Sequence, residues 1–311
     1  MHSTGVVIAS LLVATASVFG VSPPRIWVLT GLAGSVAFVG VPHGGLDHLT
    51  GRKLLATRLP NTWAFIFFPA YLAVALIVVS GWFLMPFVTA VLFFATSAWH
   101  FGLEDDRLRF RHWLADHTAA LAVGGLVIWI PMMLHSESVS SILEAIIPSN
   151  LGFSVSEIVN TTQLISYFLS PVATFVVAKD AWMGNWTRVL RNASLAMLFA
   201  SADVLISFGI YFCGWHSIRG LTRLAKNYQK SGRQLAVATA PLSCGAIALG
   251  GLGMWFWSAG QGLSDSVDRT LFVALSAIAV PHLLLHGPIT ELVAKLGVRE
   301  VESVDPVESI A

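Results

Sequence analysis

Hydrophobic residues run through this chain in ten blocks, at about 5–21, 26–41, 62–82, 87–101, 114–134, 158–178, 189–201, 204–218, 236–258 and 270–294. A helix needs roughly 20 apolar residues to cross the hydrocarbon of a bilayer, with about 17–25 usual. The pattern therefore predicts an all-α fold, a polytopic transmembrane helical bundle of about eight to ten helices. Two of the blocks are short and flank Ser201-Ala202-Asp203, where one kinked helix is the alternative to two. The polar positions between blocks give the orientation. Arg52, Lys53 and Arg58 follow the second block, Arg107, Arg109 and Arg111 the fourth, and Lys179 and Arg188 the sixth. Arg219, Arg223, Lys226, Lys230 and Arg233 follow the eighth, and Lys295 and Arg299 the last. The stretch 135–157, by contrast, holds Glu137, Glu144 and Glu157 without Lys or Arg. Ten crossings place all the basic loops on one side, which the positive-inside rule makes cytoplasmic. Merging the two short blocks would put the five-cation loop outside. The expectation is a multi-pass protein of the cell membrane with both termini cytoplasmic. The first block resembles the core of a signal peptide, but no Lys or Arg precedes it and no clear cleavage signal follows, so it reads as a retained helix.

Composition strengthens this picture. The chain of 311 residues is 55% hydrophobic and 11% charged, against about 25% charged in an average soluble domain. A net charge of +1 leaves no basic stripe for nucleic acid, so the lipid bilayer is the expected surrounding partner. Cys213 and Cys244 lie in apolar blocks without metal-binding or disulfide spacing. The chain reads as one transmembrane helical domain over 1–298, followed by a disordered cytoplasmic tail over 299–311. Trp63, Trp82, Trp129 and Trp182 fall near block ends and predict an interfacial aromatic belt.

Candidate chemistry is concentrated in histidines. His43, His100 and His216 stand at the ends of the second, fourth and eighth blocks, at one depth in the ten-helix arrangement, and His282 lies deeper in the last block after Pro281. Imidazoles are costly to bury in lipid and usually face a bundle interior. Several converging from different helices point to a metal site. Asp47 is four residues after His43 and Glu104 four after His100, so each is placed to accept a bond from the free N–H of its own helix's histidine. His48 points elsewhere, His2, His112 and His135 read as interfacial, and Asp203 reads as a loop residue between short helices. No Lys lies mid-block, which disfavours a retinal-binding opsin, and no HxxxH lies in the eighth block, which disfavours a di-iron desaturase or hydroxylase.

Four motifs carry a family resemblance. Pro42 to His48 resembles PHGxxDH, and Trp99 to Asp105 resembles WHFGxxD. Tyr211 to Gly220 resembles YFCxxHSxRH, and Val280 to Leu285 resembles VPHxxL. In this order and spacing the chain resembles the Brp/Blh family of membrane-bound β-carotene 15,15′-dioxygenases. The resemblance implies a non-haem Fe(II) enzyme that splits the central double bond of β-carotene with O2 to give two all-trans-retinal. It implies His43, His100 and His216 as iron ligands, and a retinal-binding opsin as a possible partner of the product. The family's fourth ligand would be the last residue of the third motif, which is Gly220 here. His282 is the first candidate to replace it, His286 the second and His117 the third. The alternatives are a carotenoid- or retinal-binding or opsin-assembly protein without catalysis, or another histidine-ligated membrane oxidase.

Overall fold

A computed structural model describes residues 2–105, 112–147, 152, 154–258 and 262–290. Twelve helices make up the described residues. They are α1 (His2–Val18), α2 (Arg25–Leu55), α3 (Trp63–Leu84), α4 (Pro86–Asp105), α5 (Trp113–Gly124), α6 (Leu126–Leu134) and α7 (Ser136–Ile146), then α8 (Val155–Trp182), α9 (Trp186–Ser201), α10 (204–227), α11 (Gly232–Ser258) and α12 (Leu263–Gly287). Every apolar block forms a helix within its described residues, with α5 and α6 sharing the fifth across a 51° bend. The chain is an all-α, polytopic helical bundle.

Among the described residues six helices (α2, α3, α4, α8, α11 and α12) are long and apolar enough to cross a membrane, and α5–α6 makes a seventh if its halves count as one span. This is fewer than the eight to ten expected. The first block forms α1, whose 17 residues fall just short of that length, and α9 is likewise short at 16. The stretch 135–157 was expected to be a loop but contains α7, which buries Val139, Ile142, Leu143 and Ile146 against the bundle while Glu137 and Glu144 face outward. Between α9 and α10 the chain breaks as expected, because the Asp203 carboxylate accepts hydrogen bonds from the Leu205 and Ile206 amides and caps α10. Arg107, Arg109, Arg111, Lys295, Arg299 and the expected tail over 299–311 lie outside the described residues.

α12 runs through the middle, packed against α2, α3, α4, α7 and α11. It buries Ser266, Asp268, Arg269, Ser276 and His282, while Phe38, Phe65, Phe168 and Trp255 project outward from other helices. Polar groups inside and large apolar groups outside suit a chain surrounded by lipid, and three of the buried polar side chains of α12 are paired to other helices through single contacts. Arg25 bridges to Asp268, and Arg269 donates to the Ala145 carbonyl at 2.8 Å. Trp82 donates to Ser276 Oγ at 2.8 Å. Trp82 and Trp129 are each 1% exposed, so neither belongs to an aromatic belt, whereas Trp182 is exposed at the end of α8.

The seam between α4 and α5 is made of small residues, Ala98, Gly102, Ala120 and Gly124. A Cβ on Gly102 would collide with the Ala120 backbone, and one on Gly124 with the Ala98 carbonyl and Gly102. Where lipid tails are as apolar as the helices, such close backbone approach supplies much of the attraction between them. That seam holds the end of α4, and hence His100 and Asp105, in place.

Candidate metal centre

Local backbone features aim three of the four histidines. His43 follows a wide turn at Val36–Gly40, in which the Val41 amide reaches back to the Val36 carbonyl. Pro42 comes next and has no N–H for a regular ladder. His216 lies inside a second wide segment, Ile210–Ser217. His282 follows Pro281 within α12, one turn before a third wide turn at Leu285–Ile289. Wide turns of this kind are rare and recur at functional sites. His100 sits in the regular helix α4.

The four rings form a closed circuit. Ring centres are 5.1 Å apart for His43–His216, 5.3 Å for His216–His100, 5.6 Å for His100–His282 and 5.1 Å for His282–His43. His100, His216 and His282 are buried. His43 has both ring nitrogens shielded from solvent and without a hydrogen-bond partner. An unbonded buried polar group costs about 1–3 kcal/mol, a cost that a metal ion bound by imidazole nitrogen would remove. The donor set fits a first-row divalent metal, since neutral imidazole suits iron, copper, nickel and zinc.

A second grouping competes. The ligand atoms of Asp47, His282 and His286 lie within 4.8 Å of one another. Those atoms already satisfy each other, however. Asp47 Oδ1 is 2.8 Å from His282 Nδ1 and 3.0 Å from His286 Nε2, and Tyr71 donates to Asp47 Oδ2 at 2.9 Å. The unmet bonding capacity lies with His43, inside the circuit.

The carboxylates do not pair as their spacing along each helix suggested. Asp47 turns away from His43 to His282 and His286 on α12. Glu104 forms an ion pair with Arg223 and is no partner of His100. Asp105, to which the sequence reading gave no role, takes the place expected of Glu104 but serves a different helix. Its Oδ1 is 3.2 Å from His216 Nδ1, and its Oδ2 accepts from Tyr211 at 2.7 Å. The missed signal was Asp105 closing the second motif.

Gly220 explains itself sterically. A Cβ there would overlap the His43 ring, so the His43 imidazole lies directly over the backbone where the resemblance places a fourth histidine. The other histidines lie outside the circuit. His286 is held by Asp47, and His117 accepts from the Trp99 indole at 2.8 Å. His48 bonds the Gly45 carbonyl, His2 the Gly214 carbonyl and His135 the Ala200 carbonyl.

All four circuit histidines open onto one cavity, whose empty space, the part open to the outside included, is about 1340 Å³. The rest of its lining is apolar apart from Ser97, with Phe93, Phe94, Ile142, Phe208, Phe212 and Phe272 prominent, and no Asp, Glu, Lys or Arg among the described residues contributes. On α12 the lining runs from Phe272 to Leu283. The ten steps from Phe272 to His282 rise about 15 Å. The chamber is therefore long and dry-walled, with the four imidazoles at one end.

Comparison with known proteins gives one answer. The profile of a family described as β-carotene 15,15′-dioxygenase matches residues 34–288. The chain is 25% identical over 261 residues to the β-carotene 15,15′-dioxygenase of uncultured marine bacterium 66A03, covering 80% of this chain and 90% of that one. It is 23% identical over 310 residues to the probable β-carotene 15,15′-dioxygenase Blh of Halobacterium salinarum, covering 89% and 88%. No solved structure matches. The matched span contains all four histidines and both aspartates of the site, and the chain belongs to the β-carotene 15,15′-dioxygenase family.

Proposed function

We propose that this chain cleaves the central double bond of β-carotene with O2, and that His43, His100, His216 and His282 hold the Fe(II) it uses. The observation that carries the reading is the placing of four imidazoles at one end of a long apolar chamber free of charged side chains. A C40 polyene has no polar handle, so a site for it must bind by shape and apolar contact. The aromatic and aliphatic lining supplies that contact and holds the chain of conjugated bonds against the histidine end. In the overall reaction the C=C bond breaks and each carbon takes one oxygen atom of O2, giving two molecules of retinal without a net proton change. Iron bound by the four imidazoles would supply the site at which O2 becomes reactive toward the polyene. The protein's share is to orient the scissile bond and to keep water from the reacting centre. Released retinal is the chromophore that a retinal-binding opsin would take up.

The test is expression in a bacterial host that accumulates β-carotene, with retinal measured by chromatography beside an empty-vector control. Retinal should rise toward two molecules per β-carotene lost. Carotene left intact by folded, iron-loaded protein would overturn the reading in favour of a binding role.

A further inference from the structure

The two aspartates beside the histidine circuit are arranged alike, although they lie on different helices and in different motifs. Tyr71, Asp47 and His282 form one chain of contacts: Tyr71 donates to Asp47 Oδ2 at 2.9 Å, and Asp47 Oδ1 is 2.8 Å from His282 Nδ1. Tyr211, Asp105 and His216 form the other, with Tyr211 donating to Asp105 Oδ2 at 2.7 Å and Asp105 Oδ1 3.2 Å from His216 Nδ1. In both, the phenol donates to one carboxylate oxygen and the other oxygen is the nearer to Nδ1 of a circuit histidine, with Asp47 Oδ2 in addition 3.1 Å from His282 Nδ1. Asp47 is 2% exposed and Asp105 7%, so neither is a solvated surface charge. Going round the circuit, the tethered rings His282 and His216 alternate with His43 and His100.

We infer that Asp47 and Asp105 are positioning residues that fix His282 and His216 with Nδ1 as donor and Nε2 as the lone-pair nitrogen facing the cavity, and that Tyr71 and Tyr211 lock each carboxylate in that pose. A carboxylate accepts but cannot donate, so the imidazole nitrogen beside it must carry the proton. The other nitrogen is then free to bind metal, and the ring's rotation is set by the same bond. Asp47 does this while also holding His286, which explains why that histidine stays outside the cavity lining although it lies one turn beyond His282. This inference rests on the reading of the four histidines as metal ligands. It does not depend on which substrate the metal acts upon.

The measurement is metal affinity of the full chain purified in detergent, by competition for Fe(II) with a chromogenic chelator, together with the visible spectrum of the Co(II)-loaded protein. Asp47→Asn and Asp105→Asn should each weaken Fe(II) binding about 10- to 100-fold and shift the Co(II) bands, because an amide can present N–H where the imidazole needs an acceptor. Tyr71→Phe and Tyr211→Phe keep the carboxylate and should cost less affinity while still moving the bands. These two variants decide the matter if the Asn variants fail to fold. Asn variants with wild-type affinity and spectrum would overturn the inference. So would Phe variants with an unchanged spectrum, or a lowered thermal midpoint with the spectrum of the loaded fraction intact, since that is the mark of a purely structural role. Tight, Asp-dependent iron binding in a protein that leaves β-carotene untouched would remove the substrate reading alone.

Discussion

The two sides of the histidine circuit use the same Tyr–Asp–His pattern in differently built surroundings. On the α4/α10 side the Tyr–Asp–His chain itself is closed off from solvent. Asp105 is buried, its backbone carbonyl accepts from Arg219 at 2.7 Å, and Arg191 and Arg219 each stack 5.1 Å from the centre of the Trp215 ring. The Gly102–Gly124 seam presses α5 directly onto the α4 backbone behind them. The α2/α12 side has two wide turns, together with Pro42 and Pro281, against the one wide segment Ile210–Ser217 in α10, and Asp47 reaches His286, whose side chain is 24% exposed. One side is held by backbone contact that no side chain can adjust. The other adds to its packing a set of hydrogen bonds from Asp47 that ends on a partly exposed histidine.

The sharpest way to break this comparison is to make the same change on both sides. Gly102→Ala forces a methyl into the Ala120 backbone, and should cost more than about 3 kcal/mol, beyond the usual range of overpacking. Gly44→Ala meets nothing nearer than 3.8 Å and should be neutral or stabilising by up to about 1 kcal/mol. Thermal unfolding of the two purified variants checks both. Equal losses would erase the distinction between a closed and an adjustable side.

A smaller, more local effect is expected at Gly220. Gly220→Ala must push the His43 ring off its place, so iron affinity should fall at least about tenfold, in the range found when the support of a ligand is disturbed, with little change in unfolding temperature. Gly220→His should not restore the family's fourth ligand, because the volume it needs is filled by His43; chelator competition on each variant reads this directly. Smallest of all, Arg223→Ala removes an ion pair with Glu104 in which the side chains are 28% and 30% exposed. Solvent screening limits its contribution to about 1 kcal/mol or less, measured as the shift in unfolding midpoint at low and high salt.

The helical blocks were legible because a run of apolar residues long enough to cross a bilayer has few other uses, and all ten became helices. α7 was not, because its 11 residues are too few for a span and its glutamates gave the stretch a loop-like charge pattern. The meeting of His43, His100 and His216 was legible from their motifs and shared depth, whereas His282, expected deeper, was marked by its motif and the proline before it. The supporting carboxylates were not legible. Spacing of four along one helix pairs Asp47 with His43 and Glu104 with His100, yet both aspartates of the site reach across to another helix, Asp47 to His282 and Asp105 to His216. Intrahelical spacing carries no information on contacts between helices. Trp82 and Trp129 misled for a related reason: position near a block end says nothing about which way the indole points, and both point inward.

Each wide turn near the centre holds one residue more than a regular helical turn would. Removing that residue at Val36–Gly40 would restore the ordinary ladder, but with 3.6 residues per turn it would also swing everything that follows, Pro42 and His43 included, by about 100°. The aim of the imidazole is thus written in the number of residues that precede it, as much as in their kind. A lineage could gain or lose the site by a single-codon insertion or deletion in the turn that precedes the histidine, with every histidine and aspartate of the site left unchanged.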